Sequence, residues 1–233
     1  MSGLHKGHRQ RVKDKYMSFG LDIFEEHEIL ELLLFYAVPQ KDTNPLAHKL
    51  LNEFGSLPEL FDAPLSRLLS FGLTENVACF IKLMPDIARV YEENKWVDRD
   101  KMFDLRDACD FFKLKFIGRQ EEVLYLLLLD PKMKNIFCGI VSRGDLSSTD
   151  VPIRQIIELS LRYKAKFAVV AHNHPSGFAI PSSNDLSTTK SLAISLDKIG
   201  VKLLDHIIVS DSEQLSLYYS TYNSKNDLFI SRL

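Results

Sequence analysis

One unbroken apolar segment near the middle of the chain restricts the possible folds more than any other feature. Residues 121–130 read EEVLYLLLLD, in which charged residues bound a run of large apolar side chains. The run is too short to span a membrane as a helix, and it is typical of a strand that is buried on both faces. A turn, PKMKN, and a second apolar run, IFCGIVSRG, follow it. The segment therefore predicts the first strand of a β-hairpin inside a covered sheet.

Helical and strand-like patterns alternate after this hairpin. The segments TDVPIRQIIELSLRYKA and SSNDLSTTKSLAISLDKIG have the periodicity of amphipathic helices. KFAVVAH and VKLLDHIIVS have the composition of buried strands, and LSLYYSTY predicts a fifth, weaker strand. This alternation predicts an α/β (α+β) domain over residues 102–233, in which helices flank a sheet.

The first part of the chain predicts a small all-α domain over residues 1–95. EEHEILELLLFYA repeats apolar residues at the helical period. DTNPLAHKLLNEFG predicts a complete helix in which Asn44 caps, Pro45 lies in the first turn and Gly55 ends the helix.

A long helix and a charged linker are predicted to close this domain. LTENVACFIKLMPDIARVYEENK predicts a helix that begins after a Thr74 cap and bends near Pro85. Residues 96–101 are charged and aperiodic, so we expect them to link the two domains.

Composition excludes several classes of protein. The chain has 233 residues, of which 45% are hydrophobic and 26% are charged, as in ordinary globular proteins. Its N-terminus lacks the apolar core of a secretory signal, so we expect a cytoplasmic protein with no membrane partner. Three widely spaced cysteines, Cys79, Cys109 and Cys138, argue against a disulfide framework, and we expect them to be buried as small apolar residues.

A basic segment near the N-terminus contrasts with the net charge of −2. Such a segment can contact the phosphate groups of DNA or an acidic partner. It also resembles a solvated helix face, and its few charges favour that second interpretation. The basic residues are Lys6, Arg9, Arg11, Lys13 and Lys15.

Two histidines and an aspartate form the strongest functional signal. Residues 171–185 read AHNHPSGFAIPSSND and include the end of a predicted buried strand. Residues i and i+2 of a strand point to the same side, so His172 and His174 can direct two imidazoles to one point. Asp185 lies in the first turn of the next helix and can return a carboxylate to that point. Two nitrogens and one oxygen suit Zn²⁺ and leave a fourth position for water.

The same residues also have a structural interpretation. Ser182 and Asp185 have the spacing of a capping box. Alternatively, Ser182 can donate a hydrogen bond to the oxyanion that forms on an attacked carbonyl. Capping alone does not explain two histidines on one side of a strand end, so the pattern favours a metal site.

These motifs resemble a known family. H-x-H-P followed by S-x-x-D is similar to the signature of the JAMM metalloproteases, the metal-binding branch of the MPN domains. HNHPSG, PSSND and the later LLDHIIV resemble the bacterial RadC family within that branch. GHRQRVKDKY and LELLLFYAVPQKDTNPLAHKLLNEFGSL resemble the helical domain that precedes it in RadC proteins.

The resemblance implies a JAB/MPN-type mixed sheet flanked by helices. It implies a zinc-dependent peptidase or isopeptidase that acts on a peptide or protein substrate. His172, His174 and Asp185 are then the zinc ligands, and Ser182 is the oxyanion donor. His206, in LLDHIIV, either orients a ligand or is a histidine satisfied within the sheet.

The chain departs from the family at the expected general base. The resemblance places a glutamate five residues before the glycine of an Arg-Gly pair, and counting back from Gly144 gives Gly139. The strand IFCGIVSRG contains no acid. Another carboxylate can substitute, the nearest in sequence being Asp145, Asp150 and Glu158, or the register can differ. Alternatively, the chain is a metal-binding interaction module of low activity that is associated with DNA repair or DNA binding.

A second departure lies in the helical domain. RadC relatives carry a Gly-hydrophobic-Gly turn, which can offer backbone N–H groups to a phosphate. SFGLTENVA keeps Gly72 but has Thr74 at the second glycine position. Gly72 is therefore either a phosphate contact or part of a packed helix corner.

Overall fold

The structure is a computed structural model that describes residues 7–39, 41–96, 103–144, 152–175, 177–211, 213–226 and 228. The chain divides into two compact units, Met1–Ala88 and Arg89–Leu233. This division falls inside a helix, before the predicted linker, and residues 97–101 of that linker lie outside the described residues. The domain boundary therefore stays a prediction.

The N-terminal unit is all-helical, as predicted. Its core contains apolar side chains from successive helices, among them Leu30, Leu50, Leu60 and Ile81, which are almost completely buried. The helices are α1 (His8–Phe19), α2 (Glu26–Ala37), α3 (Asn44–Phe54), α4 (Leu57–Asp62), α5 (Leu65–Ser70) and α6 (Glu75–Trp96), the last of which continues into the second unit.

Helix α3 shows how a local prediction fails by one residue. Pro45 lies in the first turn and Gly55 ends the helix with a φ of 98°, both as predicted. The N-cap residue, however, is Thr43 rather than Asn44. The side-chain amide of Asn44 instead donates to the buried carboxylate of Glu31 at 3.1 Å. A tertiary contact thus takes the side chain that local sequence assigns to capping.

Helix α6 has the predicted cap at its N-terminus and contains a proline. Thr74 accepts a hydrogen bond from the backbone N–H of Val77 at 3.4 Å, in agreement with the predicted cap. The helix runs through Pro85 as one continuous element. Before it, Gly72 adopts a φ of 100°, which glycine tolerates better than other residues.

The basic segment is partly used inside the unit. The guanidinium of Arg9 donates to the carbonyl oxygens of Phe35 at 3.1 Å, Val38 at 2.6 Å and Lys41, and it lies over the ring of Phe35. The first two carbonyls belong to the C-terminal end of α2 and its cap, where helix carbonyls lack intrahelical partners. The Lys13 amine lies 5.4 Å from the centroid of the Tyr36 ring.

The C-terminal unit is built around a mixed five-stranded sheet. The strand order is β2-β1-β3-β4-β5. The pairs β1–β2, β1–β3 and β4–β5 are antiparallel, whereas β3 and β4 are parallel. The strands are β1 (Val123–Leu129), β2 (Asn135–Arg143), β3 (Phe167–Asn173), β4 (Lys202–Val209) and β5 (Gln214–Ser216). The hairpin and the covered sheet are confirmed.

Helices cover both faces of this sheet. Side chains of α8 and α9, including Ile156 and Leu192, form one core with the even-numbered residues of β1. Side chains of α7, including Phe112, form the other core with the odd-numbered residues. The alternation explains why every residue of β1 is buried. The helices of this unit are α7 (Ala108–Lys115), α8 (Ile153–Arg162), α9 (Ser183–Asp197) and α10 (Thr221–Asn226), with a 3-10 turn at Leu105–Asp107.

Two predictions about this unit need correction. The fifth strand ends at Ser216, earlier than predicted, because the buried carboxylate of Asp205 accepts the backbone N–H of Tyr218 at 3.0 Å and holds the chain in a turn. Cys79 is exposed, and Cys109 and Cys138 are half-buried, so the expected burial is wrong for Cys79. Among the described residues, no helix is long and apolar enough to cross a membrane.

The contacts of Arg9 predict a difference between two neighbouring arginines. Arg9→Met removes the donors to the α2 carbonyls and should lower the free energy of unfolding by about 1–3 kcal/mol. Arg11→Met, at an exposed position of the same helix, should change it by less than about 0.5 kcal/mol. Urea unfolding of the two variants measures the difference, and equal values would show that these contacts do not stabilise the protein.

Candidate metal centre

The two histidines lie at the C-terminal end of β3, the central strand of the sheet. The Cα of His172 pairs with Leu124 of β1 and with Ile208 of β4, so the residue lies in the middle of the sheet. It is 1% exposed. His174 follows the last strand residue, and its backbone N–H donates to the carbonyl of Val209 at 2.8 Å. Both side chains are thereby placed by the backbone ladder.

The three predicted ligand residues come together. The Nε2 atoms of His172 and His174 are 2.9 Å apart. A carboxylate oxygen of Asp185 lies 3.4 Å from Nε2 of His172, and the other lies 3.9 Å from Nε2 of His174. A tetrahedral ion with bonds of 2.0–2.1 Å would hold its ligand atoms about 3.3 Å apart. The two Nε2 atoms are closer than this edge length, and the two distances to Asp185 are to different oxygens of its carboxylate. With one ligand atom from each residue the atoms lie within 4.8 Å of one another, so small side-chain shifts would bring them to such an ion; the ligand roles themselves stay predictions.

The imidazole of His174 has a defined orientation. Its Nδ1 lies 2.9 Å from the carbonyl oxygen of Phe178. A carbonyl can only accept, so Nδ1 carries the proton and the lone pair of Nε2 points into the cluster. This is the tautomer that a metal ligand requires.

Asp185 combines the two roles that the sequence left as alternatives. One of its carboxylate oxygens, Oδ2, accepts from the backbone N–H of Ser182 at 2.7 Å and from its hydroxyl at 2.6 Å. The backbone N–H of Asp185 returns a bond to the hydroxyl at 3.1 Å, which completes a capping box at the start of α9. The other oxygen, Oδ1, faces His172. Capping the helix therefore aims the carboxylate at the cluster.

Charge and burial keep the cluster in metal-binding protonation states. Burial alone would raise the pKa of the Asp185 carboxyl, but His172 and the hydrogen bonds from Ser182 outweigh it and hold this pKa below its usual range. Burial lowers the pKa of His172 to about 3 and that of His206 to about 4. The imidazole of the ligand candidate His172 is therefore neutral near pH 7, as is that of His206 behind it, and metal binding needs an ionised carboxylate and neutral imidazole ligands.

His206 contacts the imidazole of His172. This contact is needed if His206 orients that ligand, as one of the two predictions for it states. Its Nε2 lies 2.7 Å from Nδ1 of His172, the nitrogen that faces away from the cluster. His206 is 4% exposed.

Position 139 is far from this centre. Gly139 pairs with Leu126, and Leu126 pairs with Val170, two residues before His172. The glycine is thus two strands away, about 9–10 Å, and about 7 Å further along the strands. The space beside it is filled, because a Cβ on Gly139 would lie 2.9 Å from the ring of Phe137. Strand β2 thus offers no acid at the position where the resemblance places the base.

The sequence offered three other carboxylates as possible bases, and only that of Glu158 lies among the described residues. Glu158 lies on α8, is exposed and pairs with Arg154 at 3.0 Å. Asp145 and Asp150 lie outside the described residues.

The backbone pairing of the hairpin brings a further acidic residue, Glu122, into consideration. The N–H of Gly144 donates to its carbonyl at 2.9 Å, so the hairpin pairing extends to this residue. Leu124 shares the face of the sheet on which His172 lies, since the two are direct partners. By the two-residue alternation of a strand, Glu122 belongs to that face as well. The acidic pair before the apolar run is visible in the sequence, but its spacing does not relate it to the histidines.

A mixed sheet between helices, with two histidines leaving a central strand and an aspartate starting the next helix, defines a JAB-type domain with a candidate metal site. Residues 103–224 match the family described as RadC-like JAB domain. The UPF0758 protein FN0909 of Fusobacterium nucleatum subsp. nucleatum is 34% identical over 220 residues, which cover 91% of this chain and 95% of that protein. The UPF0758 protein SPO0054 of Ruegeria pomeroyi is 28% identical over 218 residues, 93% of this chain and 97% of that protein. The chain belongs to the RadC family.

The buried histidines predict a pH dependence of stability in the metal-free protein. The pKa of each imidazole is near 6.5 in the unfolded chain. In the folded protein, burial lowers the pKa of His172 to about 3 and that of His206 to about 4. Between these values the unfolded chain binds more protons, so the free energy of unfolding should fall as the pH falls below about 6.5. The slope is at most about 1.4 kcal/mol per pH unit for each histidine. Burial raises the pKa of Asp205 to about 7, so this single carboxyl opposes the two histidines over the same range and reduces the net slope without reversing it.

Urea unfolding in the presence of a chelator, at a series of pH values below neutrality, measures this slope. His206→Gln removes one of the two groups and should make the slope shallower. Equal slopes for the wild type and the variant would contradict the assignment.

Proposed function

We propose that this RadC-family chain is a zinc-dependent hydrolase of amide bonds, in a peptide or in an isopeptide linkage to a protein. The observation that carries the proposal is the convergence of two imidazole nitrogens and one carboxylate oxygen at the end of β3. A purely structural cluster would not need the lone pair of His174 to point inward.

The donor set indicates the metal. Two imidazoles and one carboxylate are typical zinc ligands, and three protein ligands leave a position open for water and substrate. When bound, zinc supplies Lewis-acid polarisation of the amide carbonyl and lowers the pKa of water. His172, His174 and Asp185 would hold it.

Proton transfer also needs a general base, and we assign this role to Glu122. A base takes the proton from the attacking water and gives it to the leaving amine. Glu122 lies on the face of the sheet that carries His172 and is half-buried. Its backbone is held by Gly144, which keeps the residue at the start of β1.

We assign the role of oxyanion donor to Ser182, and this role requires that its hydroxyl change its hydrogen-bond acceptor. Its hydroxyl has a single proton, which is directed at Asp185 in this structure. Donation to a substrate oxyanion requires that this proton turn away from Asp185. The backbone N–H of Ser182 would continue to hold the carboxylate.

The alternative is a metal-binding interaction module that turns over poorly. It is supported by the absence of any acid in β2 and by the engagement of the Ser182 hydroxyl with Asp185. Its association with DNA would rest on Arg11, Lys13 and Gly72, since Arg9 is engaged with α2. DNA binding stays a prediction for these residues.

Metal analysis tests the first step of the proposal. We expect about one zinc ion per chain in the purified protein and its loss in His172→Ala and Asp185→Ala, because each variant removes a ligand. Ser187→Ala alters an exposed residue of the same helix and should keep the metal. Wild-type protein that holds no metal after incubation with zinc would end the proposal.

Replacement of Glu122 tests the second step. Glu122→Gln should lower kcat by about 10²–10⁴-fold, the usual cost of losing a general base, without loss of zinc. Glu121→Gln is the matched control, because the neighbouring Glu121 is exposed and pairs with Arg143. Gly139→Glu, which requires the tip of the Phe137 ring to shift, should give no gain if Glu122 is already the base, whereas a gain in turnover would favour a base on β2.

Hydrolysis of a pool of fluorogenic peptides and isopeptide-linked amides by the zinc-loaded protein provides the measurement. Unchanged turnover in Glu122→Gln would remove this residue as the base. No turnover by the zinc-loaded wild type across the pool would favour the interaction module.

A further inference from the structure

Thr189 is the end of a buried chain of polar contacts that reaches the candidate metal site. It lies in the second turn of α9 and is 1% exposed. Its hydroxyl oxygen is 2.6 Å from the carbonyl oxygen of Asp185 and 2.5 Å from Nδ1 of His206. His206 in turn contacts Nδ1 of His172 through its Nε2.

The direction of the first contact follows from its two atoms. Two oxygens 2.6 Å apart need a proton between them, and a carbonyl has none to give. The hydroxyl of Thr189 therefore donates to Asp185. Because a hydroxyl has only one proton, the same oxygen must accept from Nδ1 of His206, which therefore carries a proton.

The protons of the two imidazoles are then determined in sequence. His206 is buried, where the neutral imidazole is favoured, so with a proton on Nδ1 its Nε2 has a lone pair. That lone pair accepts from Nδ1 of His172 at 2.7 Å. The remaining nitrogen of His172, Nε2, is left with the lone pair that a metal ligand needs. It lies 2.9 Å from Nε2 of His174, whose lone pair also points inward, so this contact is satisfied only by an ion between the two nitrogens or by an added proton.

We propose that Thr189 is a positioning residue for the metal centre: its hydroxyl sets the tautomer of His206 and, through it, keeps Nε2 of His172 available to bind zinc. The inference rests on the proposed metal site and deepens it. Without the hydroxyl, His206 can carry its proton on Nε2 and donate to Nδ1 of His172. The proton of His172 would then lie on Nε2, where it opposes metal binding.

Three variants separate the effect of the Thr189 hydroxyl from the effects of side-chain shape and of a hydroxyl bonded to the helix backbone. Thr189→Val keeps the branched shape and removes the hydroxyl, whereas Thr189→Ser keeps the hydroxyl. Ser191→Ala is the matched control, because Ser191 also bonds a carbonyl four residues earlier in α9, that of Ser187, but on an exposed face. Thermal unfolding of each metal-free variant monitors whether the fold is retained.

Two readouts test the inference. Competition between the full-length protein and a chelator for zinc gives the dissociation constant, which Thr189→Val should raise about 10–100-fold. Thr189→Ser and Ser191→Ala should remain close to the wild type. Long-range ¹H–¹⁵N correlation spectra of the metal-free protein report the tautomer of His206, which should carry its proton on Nδ1 in the wild type and move it to Nε2 in Thr189→Val.

An unchanged zinc affinity or an unchanged His206 tautomer in Thr189→Val would overturn the inference. So would a loss of affinity in Thr189→Ser as large as that in Thr189→Val. If the wild type binds no zinc, the proposed function fails, but the tautomer measurement still decides the role of Thr189 because it needs no metal.

Discussion

The parallel pairing of β3 with β4 is the constraint on which the rest of the candidate site depends. Two parallel neighbours cannot be joined by a tight turn, so a helix must cross over between them. Here that helix is α9, and it begins close to the strand end that carries His172 and His174. Its first turns therefore lie over the two histidines. The same pairing brings His206 of β4 next to His172.

The polar groups of the centre are tolerated inside the sheet because nearly all of them have partners. His172, Thr189 and His206 are almost completely buried, and a buried polar group without a hydrogen bond is costly. The chain from Thr189 to His172 satisfies these groups one after another. The inward nitrogens of His172 and His174 are the exception, since each directs a lone pair toward the other and an ion between them would satisfy both.

The fold was largely predictable from the sequence, and the errors have local causes. The apolar run at β1 and the alternation after it define the covered sheet, because periodicity reports burial directly. The cap of α3 and the end of β5 were wrong because Glu31 and Asp205, buried carboxylates, take the groups that local patterns assign elsewhere. Helix α7 goes beyond the predicted elements. Its side chains fill the second face of the sheet, a role that only the packing reveals.

For the candidate site, the sequence by itself determined which residues converge: His172 and His174 through strand alternation, and Asp185 through the capping motif that starts the next helix. Both signals are local, so spacing alone conveys them. Only the tertiary structure decided the remainder. Sheet register places Gly139 two strands from His172 and makes Leu124, two residues after Glu122, the direct partner of His172, because the distance between strands is not encoded in residue spacing. The contact of Thr189 with His206 joins elements that are remote along the chain, and only the packing of α9 on β4 creates it.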